Sequence, residues 1–311
     1  MVVTVITAAL LPAHGLGARI AGTAADAGII FLFFLYGARL SPQAALSGMT
    51  RWRLQLAVLA CTFVLFPILG VAIYLTAPAE LSNSLRTGIL FLCVLPSTVQ
   101  SSIAFTWIAR GNVAAALCAA SASNILGVFI SPLLAGWLLQ RGGVELSFDN
   151  VFDIILQLLV PFLAGQLLRR WIGQWVQDHK TVLGYADRGS ILLIIYVAFS
   201  KGVVDNVWAE IGFTDLILLG TVLAGLLATL LTITFIIGRK LMRMTVEDEI
   251  VLQFCGSKKS LASGLPIASV LFAGAQLGLI ILPLMLFHQL QLIVCAILAR
   301  HYGRRSGAEK A

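Results

Sequence analysis

Long apolar runs, separated by short polar stretches, fill this chain. They fall at about 2–13, 25–38, 54–76, 87–108, 112–139, 151–168, 189–207, 213–238, 249–272 and 276–299. A helix needs about 20 apolar residues to cross a hydrocarbon core of about 30 Å, so the pattern predicts ten helical spans, the first two of them short. Two runs are interrupted: the fourth by Leu95-Pro96-Ser97-Thr98-Val99-Gln100-Ser101-Ser102, the ninth by Phe254-Cys255-Gly256-Ser257-Lys258-Lys259-Ser260-Leu261. Pro96 removes a backbone donor and crowds the preceding turn, and Gly256 loosens the backbone. A helix broken at membrane depth survives only where it is buried in protein or lines a cavity. Two breaks at matching places in two halves of a chain predict a transporter's binding site.

The polar stretches alternate in charge. After the second, fourth, sixth and eighth runs come Arg39, Arg51 and Arg53; Arg110; Arg169, Arg170, Lys180 and Arg188; and Arg239, Lys240 and Arg243. Arg300, Arg304, Arg305 and Lys310 close the chain, whereas the opposite stretches carry Arg19, Arg86, Arg141 and Lys201 diluted by acids. Basic residues resist translocation, so the alternation predicts a multi-pass protein of the cell (inner) membrane with both termini cytoplasmic. At an offset of 159, Arg51–Leu75 runs parallel to Glu210–Thr234, Leu95–Ser102 falls on Phe254–Leu261, and Gln100 on Lys259. Five spans per half is an odd number, so the halves must be oppositely oriented: an inverted repeat, 1–140 and 150–303, joined by Arg141–Asp149 and followed by a cytoplasmic tail, 304–311.

Composition sharpens the class. Hydrophobic residues are 59% and charged residues 11%, against about 25% charged in soluble proteins. The net charge of +7 sits in short loops with no basic aromatic tract, which points to membrane orientation and a lipid bilayer, not to nucleic acid. Cys61, Cys93, Cys118, Cys255 and Cys295 all lie in apolar runs without a C-x-x-C, and are expected as small core residues with no metal and no cofactor. Phosphate-loop, zinc-protease and nucleophile-elbow motifs are absent, so no enzyme is expected. The run Val2–Pro12 has no basic region before it, against a cleaved signal peptide.

The acids are all expected in loops or near the ends of runs. Lys258 and Lys259 are the only basic residues in the middle of one. Each would cost roughly 2.5–3.5 kcal/mol at the bilayer centre, and such residues normally face protein or water. Neighbours on a helix point about 100° apart, so one lysine is expected to aim at the crossing of the broken helices and the other to find carbonyls, hydroxyls or a wet face. The alternative puts both at the cytoplasmic end of a helix beginning at Ser260, with Ile250–Cys255 re-entrant or on the surface. Ala119–Asn124 reads first as a close-packing face, with Asn124 the residue whose amide needs a partner. His288-Gln289-Leu290-Gln291 holds a comparable place in the tenth run, where His288 is open to a packing or a binding role. Gly88, Gly127, Gly165 and Gly264 are expected at close helix contacts.

Leu95–Ser102, then Ala109-Arg110-Gly111-Asn112-Val113-Ala114, Ser131-Pro132-Leu133-Leu134 and Cys255–Leu261 resemble the bile acid:sodium symporter family. The closer likeness is to its branch containing the human solute carrier 10 member 7 and bacterial relatives. It runs from about residue 10 to about residue 303. The resemblance implies an all-α integral membrane fold of ten helices in two inverted five-helix repeats. It implies that spans four and nine are broken and cross, with a core (about 51–140 and 213–300) moving against a panel (about 1–40 and 150–207). Better-known members carry organic anions with sodium. The sodium pattern does not carry over: Phe254 stands where that pattern has Glu, Lys258 and Lys259 where it has Gln and Asn, and Ser102-Ile103 where it has Ser-Asn. Ala116 and Ala120 replace hydroxyls, with Ser121, Ser123 and Asn124 nearby.

The expected function is a secondary transporter of a small organic anion working by elevator-type alternating access. Ser97, Thr98, Gln100, Asn124, Ser257, Ser260, His288 and Gln291 are the substrate-binding candidates. Lys258 and Lys259, with Ser101, Ser102 and Ser121, are the cation-replacing or ion-site candidates, because an ammonium has three donors and no acceptor: it cannot ligate sodium but can stand in a cation's place. Two alternatives stay open here: a sodium-coupled symporter with shifted sites, and a non-transporting membrane regulator or scaffold.

Overall fold

A break in an apolar run has to be enclosed, and enclosure organises this molecule. The computed structural model describes residues 1–39, 51–76, 81–140, 148–272 and 276–308, and every regular element among them is a helix. In chain order these are α1 (Val2–Leu10), α2 (Gly15–Arg39), α3 (Trp52–Thr76), α4 (Asn83–Val94), α5 (Gln100–Ile108) and α6 (Val113–Gln140). Then come α7 (Phe148–Asp178), α8 (Lys180–Val204), α9 (Phe213–Leu241), α10 (Val246–Gly256), α11 (Leu261–Leu271) and α12 (Leu277–Ala308).

Six helices, α2, α3, α6, α8, α9 and α12, are long and apolar enough to cross a bilayer, and the chain is an all-α integral membrane protein. Their outward faces carry large apolar side chains such as Leu56, Ile68, Leu133, Ile217, Ile293 and Ile297, the surface a lipid solvent requires. α4 and α5, of 12 and 9 residues, are half-length pieces on either side of Leu95–Val99. α10 and α11, of 11 residues each, flank Ser257–Ser260 in the same way.

The two breaks are the most deeply buried parts of the chain. Every residue from Thr87 to Thr98 is buried, and so is every residue from Glu249 to Leu261. Around them pack α3, α6, α9 and α12, while α1, α2, α7 and α8 pack on one another as a second layer. α2 and α7 meet backbone to backbone: a methyl group on Gly37 would strike the Phe162 carbonyl, and one on Gly165 would strike that of Phe34. The other expected glycine contacts also occur, Gly88 against Ile280 and Pro283, Gly127 against Pro96, and Gly264 against Leu95 and Leu284.

Several boundaries differ from the hydropathy pattern, among them the end of α12, which runs to Ala308 into the stretch expected as a tail. α2 starts at Gly15, not near 25: Gly15–Ala24 mixes Leu16, Ile20 and alanines with Arg19, Thr23 and three glycines, which lowers its mean hydropathy although the stretch is helical. Asp26 is therefore an exposed residue in the middle of a helix, not an acid near the end of a run. α7 runs about ten residues past its apolar stretch to Asp178, and only His179 separates it from α8. The inter-repeat linker expected at Arg141–Asp149 lies largely outside the described residues.

Candidate functional site

Each break exposes main-chain carbonyls that no helix can use, and the other break, with α6 and α12, supplies the donors. Pro96 has no N–H, and the N–H of Ser97 turns to Ser123 Oγ at 3.0 Å. The carbonyl of Cys93 thus loses both nearby helical donors. It accepts instead from Lys259 Nζ at 2.9 Å, and Leu95 O accepts from the same ammonium at 2.6 Å. Val94 O takes Ser131 Oγ at 2.7 Å, Pro96 O takes the Ser260 N–H at 2.8 Å, and Ser97 O takes Asn124 Nδ2 at 2.7 Å. Five successive carbonyls are thereby matched with donors from outside their own helix, as burial demands.

The traffic also runs the other way. Ser97 Oγ donates to Cys255 O at 2.6 Å and Ser102 Oγ to Phe254 O at 3.0 Å, bracing the end of α10. Thr98 Oγ1 is 3.0 Å from Ser102 Oγ and accepts from Ser101 Oγ at 2.8 Å. Ser257 Oγ folds back on the Gln253 carbonyl. Ser260 caps α11, accepting from the Ser263 N–H at 3.2 Å, and Ser263 Oγ donates to Asn124 Oδ1 at 2.9 Å. Asn124, half-buried, so joins α6 to both breaks.

The third carbonyl on Lys259 comes from α3. Cys61–Leu65 is a π turn, in which the Phe66 N–H bonds Cys61 O instead of Thr62 O. The next donor in that register would be Pro67, which has none. Thr62 O is left over and receives Lys259 Nζ at 2.8 Å. The ammonium thus places all three protons on carbonyls and lies 4.0 Å from the Phe66 ring centroid. Hydrogen bonds to a charged donor contribute about 1.5–3 kcal/mol each, which offsets the desolvation of a fully buried cation. Its location at the C-terminal end of α4 adds the negative pole of that helix.

Lys258 is also fully buried but differently held. Its Nζ has one hydrogen bond, to Ser101 Oγ at 3.4 Å, and lies 4.4 Å from the Phe105 centroid and 5.5 Å from that of Phe254. Among the described residues no carboxylate comes within ion-pair distance of either lysine. Ile250–Cys255 is buried in protein together with both lysines, so it is not a surface segment, while the helix that follows does begin at Leu261 with Ser260 as its cap.

The remaining candidates separate. Gln291 is fully buried and bonds both main-chain groups of Lys259, while its Nε2 also lies 3.0 Å from His288 Nδ1. Gln100, first residue of α5, is exposed, and Ser101, Ser121 and His288 are half-buried. Val99 gives α5 no side-chain cap, so its first N–H groups stand outside the helix's own ladder. A cavity of about 380 Å³ lined by Val5, Ala9, Phe199, Val203, Asn206 and Trp208 is largely apolar and lies between α1 and α8, away from both breaks.

A second polar cluster ties the outer end of α10 to its neighbours, and the side-chain pattern gave little hint of it. Asp248 pairs with Arg51 and accepts from Asn112 Nδ2 at 3.1 Å. The buried Glu249 accepts from Tyr302 Oη at 2.6 Å and lies 3.6 Å from Arg239. Arg110, at φ 58°, closes α5, and Asn112 caps α6 through the Ala115 N–H at 3.1 Å. The string Ala109–Asn112 is thus a turn of fixed shape between α5 and α6. The sequence pattern does not single out Thr62, Pro67 or Ser263, and it names Ser123 and Ser131 only within stretches that resemble the family; Pro67 in a span and Ser131-Pro132 are the available signals.

Comparison with known proteins gives one consistent answer. The family model described as the SBF-like CPA transporter family matches residues 1–304. An uncharacterized protein of Pseudomonas aeruginosa, PA2026, is 52% identical over 306 residues, covering 98% of this chain and 92% of that protein. "Putative symporter YfeH" of Escherichia coli is 46% identical over 306 residues, with the same coverage of 98% and 92%. Sodium/bile acid cotransporter 7 of Rattus norvegicus is 27% identical over 271 residues, 86% of this chain and 79% of that protein.

Proposed function

Because the chain belongs to the SBF-like CPA transporter family, we propose that it is a secondary active carrier of a small organic anion, working by alternating access at the two breaks. On this reading α4 with α5 and α10 with α11 are the fourth and ninth of ten crossings, and the two halves form an inverted repeat with both termini cytoplasmic. The helices around the breaks form the moving core, and α1, α2, α7 and α8 form the panel. Those four helices pack chiefly on one another and meet the rest where α7 lies on α6 and α8 lies on α11 and α12, which supports the division.

The observation that carries the reading is Lys258. A buried ammonium with one 3.4 Å hydrogen bond and no carboxylate is a charge awaiting a partner. Ser101 links it to the start of α5, where uncapped N–H groups favour an anion. Thr98, Gln100, Ser121 and Asn124 border the same helix start or the helix facing it, on residues that keep some exposure or bond directly to those that do. Ser97, Ser102, Ser257, Ser260 and Gln291 serve differently: their polar groups are spent on holding the breaks together. Cargo then rides with the core, because a rigid, fully bonded crossing moves as a unit.

The test is uptake of a panel of labelled small carboxylates into proteoliposomes, with sodium or choline outside. Uptake equal in both salts, and reduced by about tenfold or more in Lys258→Met, is the expected result. Strict dependence on a sodium gradient that survives Lys258→Met would overturn it. The name of the rat relative favours a second reading, a sodium-coupled symporter with the ion among Ser101, Ser102, Ser121 and Asn124. That reading requires a saturable rise in melting temperature with sodium and not with choline.

A further inference from the structure

Three carbonyls from two separate stretches of main chain converge on one point inside this protein. Thr62 O comes from the π turn of α3, Cys93 O from the last turn of α4, and Leu95 O from the break, and they stand 2.8, 2.9 and 2.6 Å from Lys259 Nζ. Two of the three are left over for reasons written into the sequence. Pro67 withholds the donor that Thr62 O would meet in its π register, and Pro96, with the Ser97 N–H diverted to Ser123, strips Cys93 O. The face of Phe66, 4.0 Å from the nitrogen, adds a surface that attracts cations. Neutral water has two protons for three convergent acceptors; a cation answers all of them.

We infer that the Thr62–Cys93–Leu95 carbonyl triangle is a monovalent-cation site in its own right, filled in this chain by the ammonium of Lys259. The lysine belongs to Ser257–Ser260, while its three carbonyls belong to α3, α4 and the first break. The side chain is therefore an internal ligand that fastens one break to the other. Gln291 holds the lysine's own N–H and C=O at 2.9 Å each, so removing the side chain beyond Cβ leaves the backbone held and opens a cage of ammonium size. A free ammonium or potassium ion fits the vacated volume better than the smaller sodium, and choline, with no N–H and four carbon substituents, does not fit. This inference needs no cargo and no transport cycle, so it stands or falls apart from the function proposed above.

The experiment is thermal unfolding of purified wild-type protein and Lys259→Ala in chloride salts of choline, sodium, potassium and ammonium at equal ionic strength. The wild type is expected to melt at one temperature in all four. The variant is expected to melt lower in choline, by on the order of 5 °C or more, and to regain much of that loss, saturably, in ammonium or potassium. A variant whose melting is the same in all four salts overturns the inference, as does a wild type that itself shows the saturable ammonium or potassium shift. If Lys259→Ala is not recovered in any salt, Pro67→Ala in the wild-type background decides. Removing a proline from a helix ordinarily stabilises it; here the new N–H competes for Thr62 O, so a lower melting temperature is expected and a higher one overturns the inference.

Discussion

Gln291 holds Lys259 by its peptide groups and not by its charge: Oε1 accepts the Lys259 N–H and Nε2 donates to the Lys259 carbonyl, both at 2.9 Å. One side chain of α12 thus performs, for a single residue of the break, the pairing a neighbouring strand or helical turn would provide. Gln291→Leu leaves both groups buried without that partner, at about 1–3 kcal/mol each. The expected loss is about 2–6 kcal/mol, read from chemical denaturation in detergent. Gln291→Glu keeps an acceptor for the N–H and should lose less.

The two lysines should respond in opposite ways to the same substitution. Lys259→Met orphans three buried carbonyls, and its unfolding temperature should fall sharply. Lys258→Met gives up a single 3.4 Å hydrogen bond and keeps the packing on Phe105 and Phe254. Exchanging a buried charge for an apolar group of similar shape is often neutral or stabilising. Lys258→Met should therefore melt at or above the wild type while losing uptake. Equal destabilisation by both would contradict the assignment.

Gly37→Ala and Gly165→Ala should each destabilise the α2–α7 crossing, because the added methyl meets main-chain carbonyl oxygen rather than a side chain that can swing away. A loss of about 2–3 kcal/mol or more is expected for each. Gly220→Ala and Gly225→Ala in α9, where nothing lies within 4 Å, are the controls. They should gain about 0.5–1 kcal/mol from the lower backbone entropy of alanine. Melting temperatures of the four variants make the comparison.

Tyr302→Phe tests the outer anchor of α10. The phenol donates to the buried carboxylate of Glu249 at 2.6 Å, opposite Arg239 at 3.6 Å. Removing that donor should cost about 1.5–3 kcal/mol. Much of the loss should vanish in a Glu249→Gln background, where no full charge remains to be answered. A double-mutant cycle measures the coupling.

The breaks were legible because Pro96, Gln100, Lys258 and Lys259 are conspicuous in an apolar run, and the offset of 159 pairs one stretch with the other. That a lysine finds carbonyls also follows from its chemistry. Which carbonyls was not legible. Thr62, Cys93 and Leu95 contribute main-chain oxygens, and a side-chain pattern says nothing about main-chain atoms unless a proline marks them, as Pro67 does in hindsight. Gln100, which the offset pairs with Lys259, is exposed: α5 begins there, while the partner of Lys259 is the preceding Cys93–Leu95. Hydropathy also under-read α2, whose first ten residues are helical without being greasy.

Covalent attachment has an energetic meaning for the Lys259 cage. A gradient drives a carrier only through a particle that boards on one side and leaves on the other, and this ammonium can do neither. On the mechanism proposed above it travels out and back with its own backbone, and over a full cycle its displacement current cancels. Any electrical signature of turnover must then come from the cargo and from whatever else dissociates, which makes the charge moved per molecule a direct reading of what the protein carries.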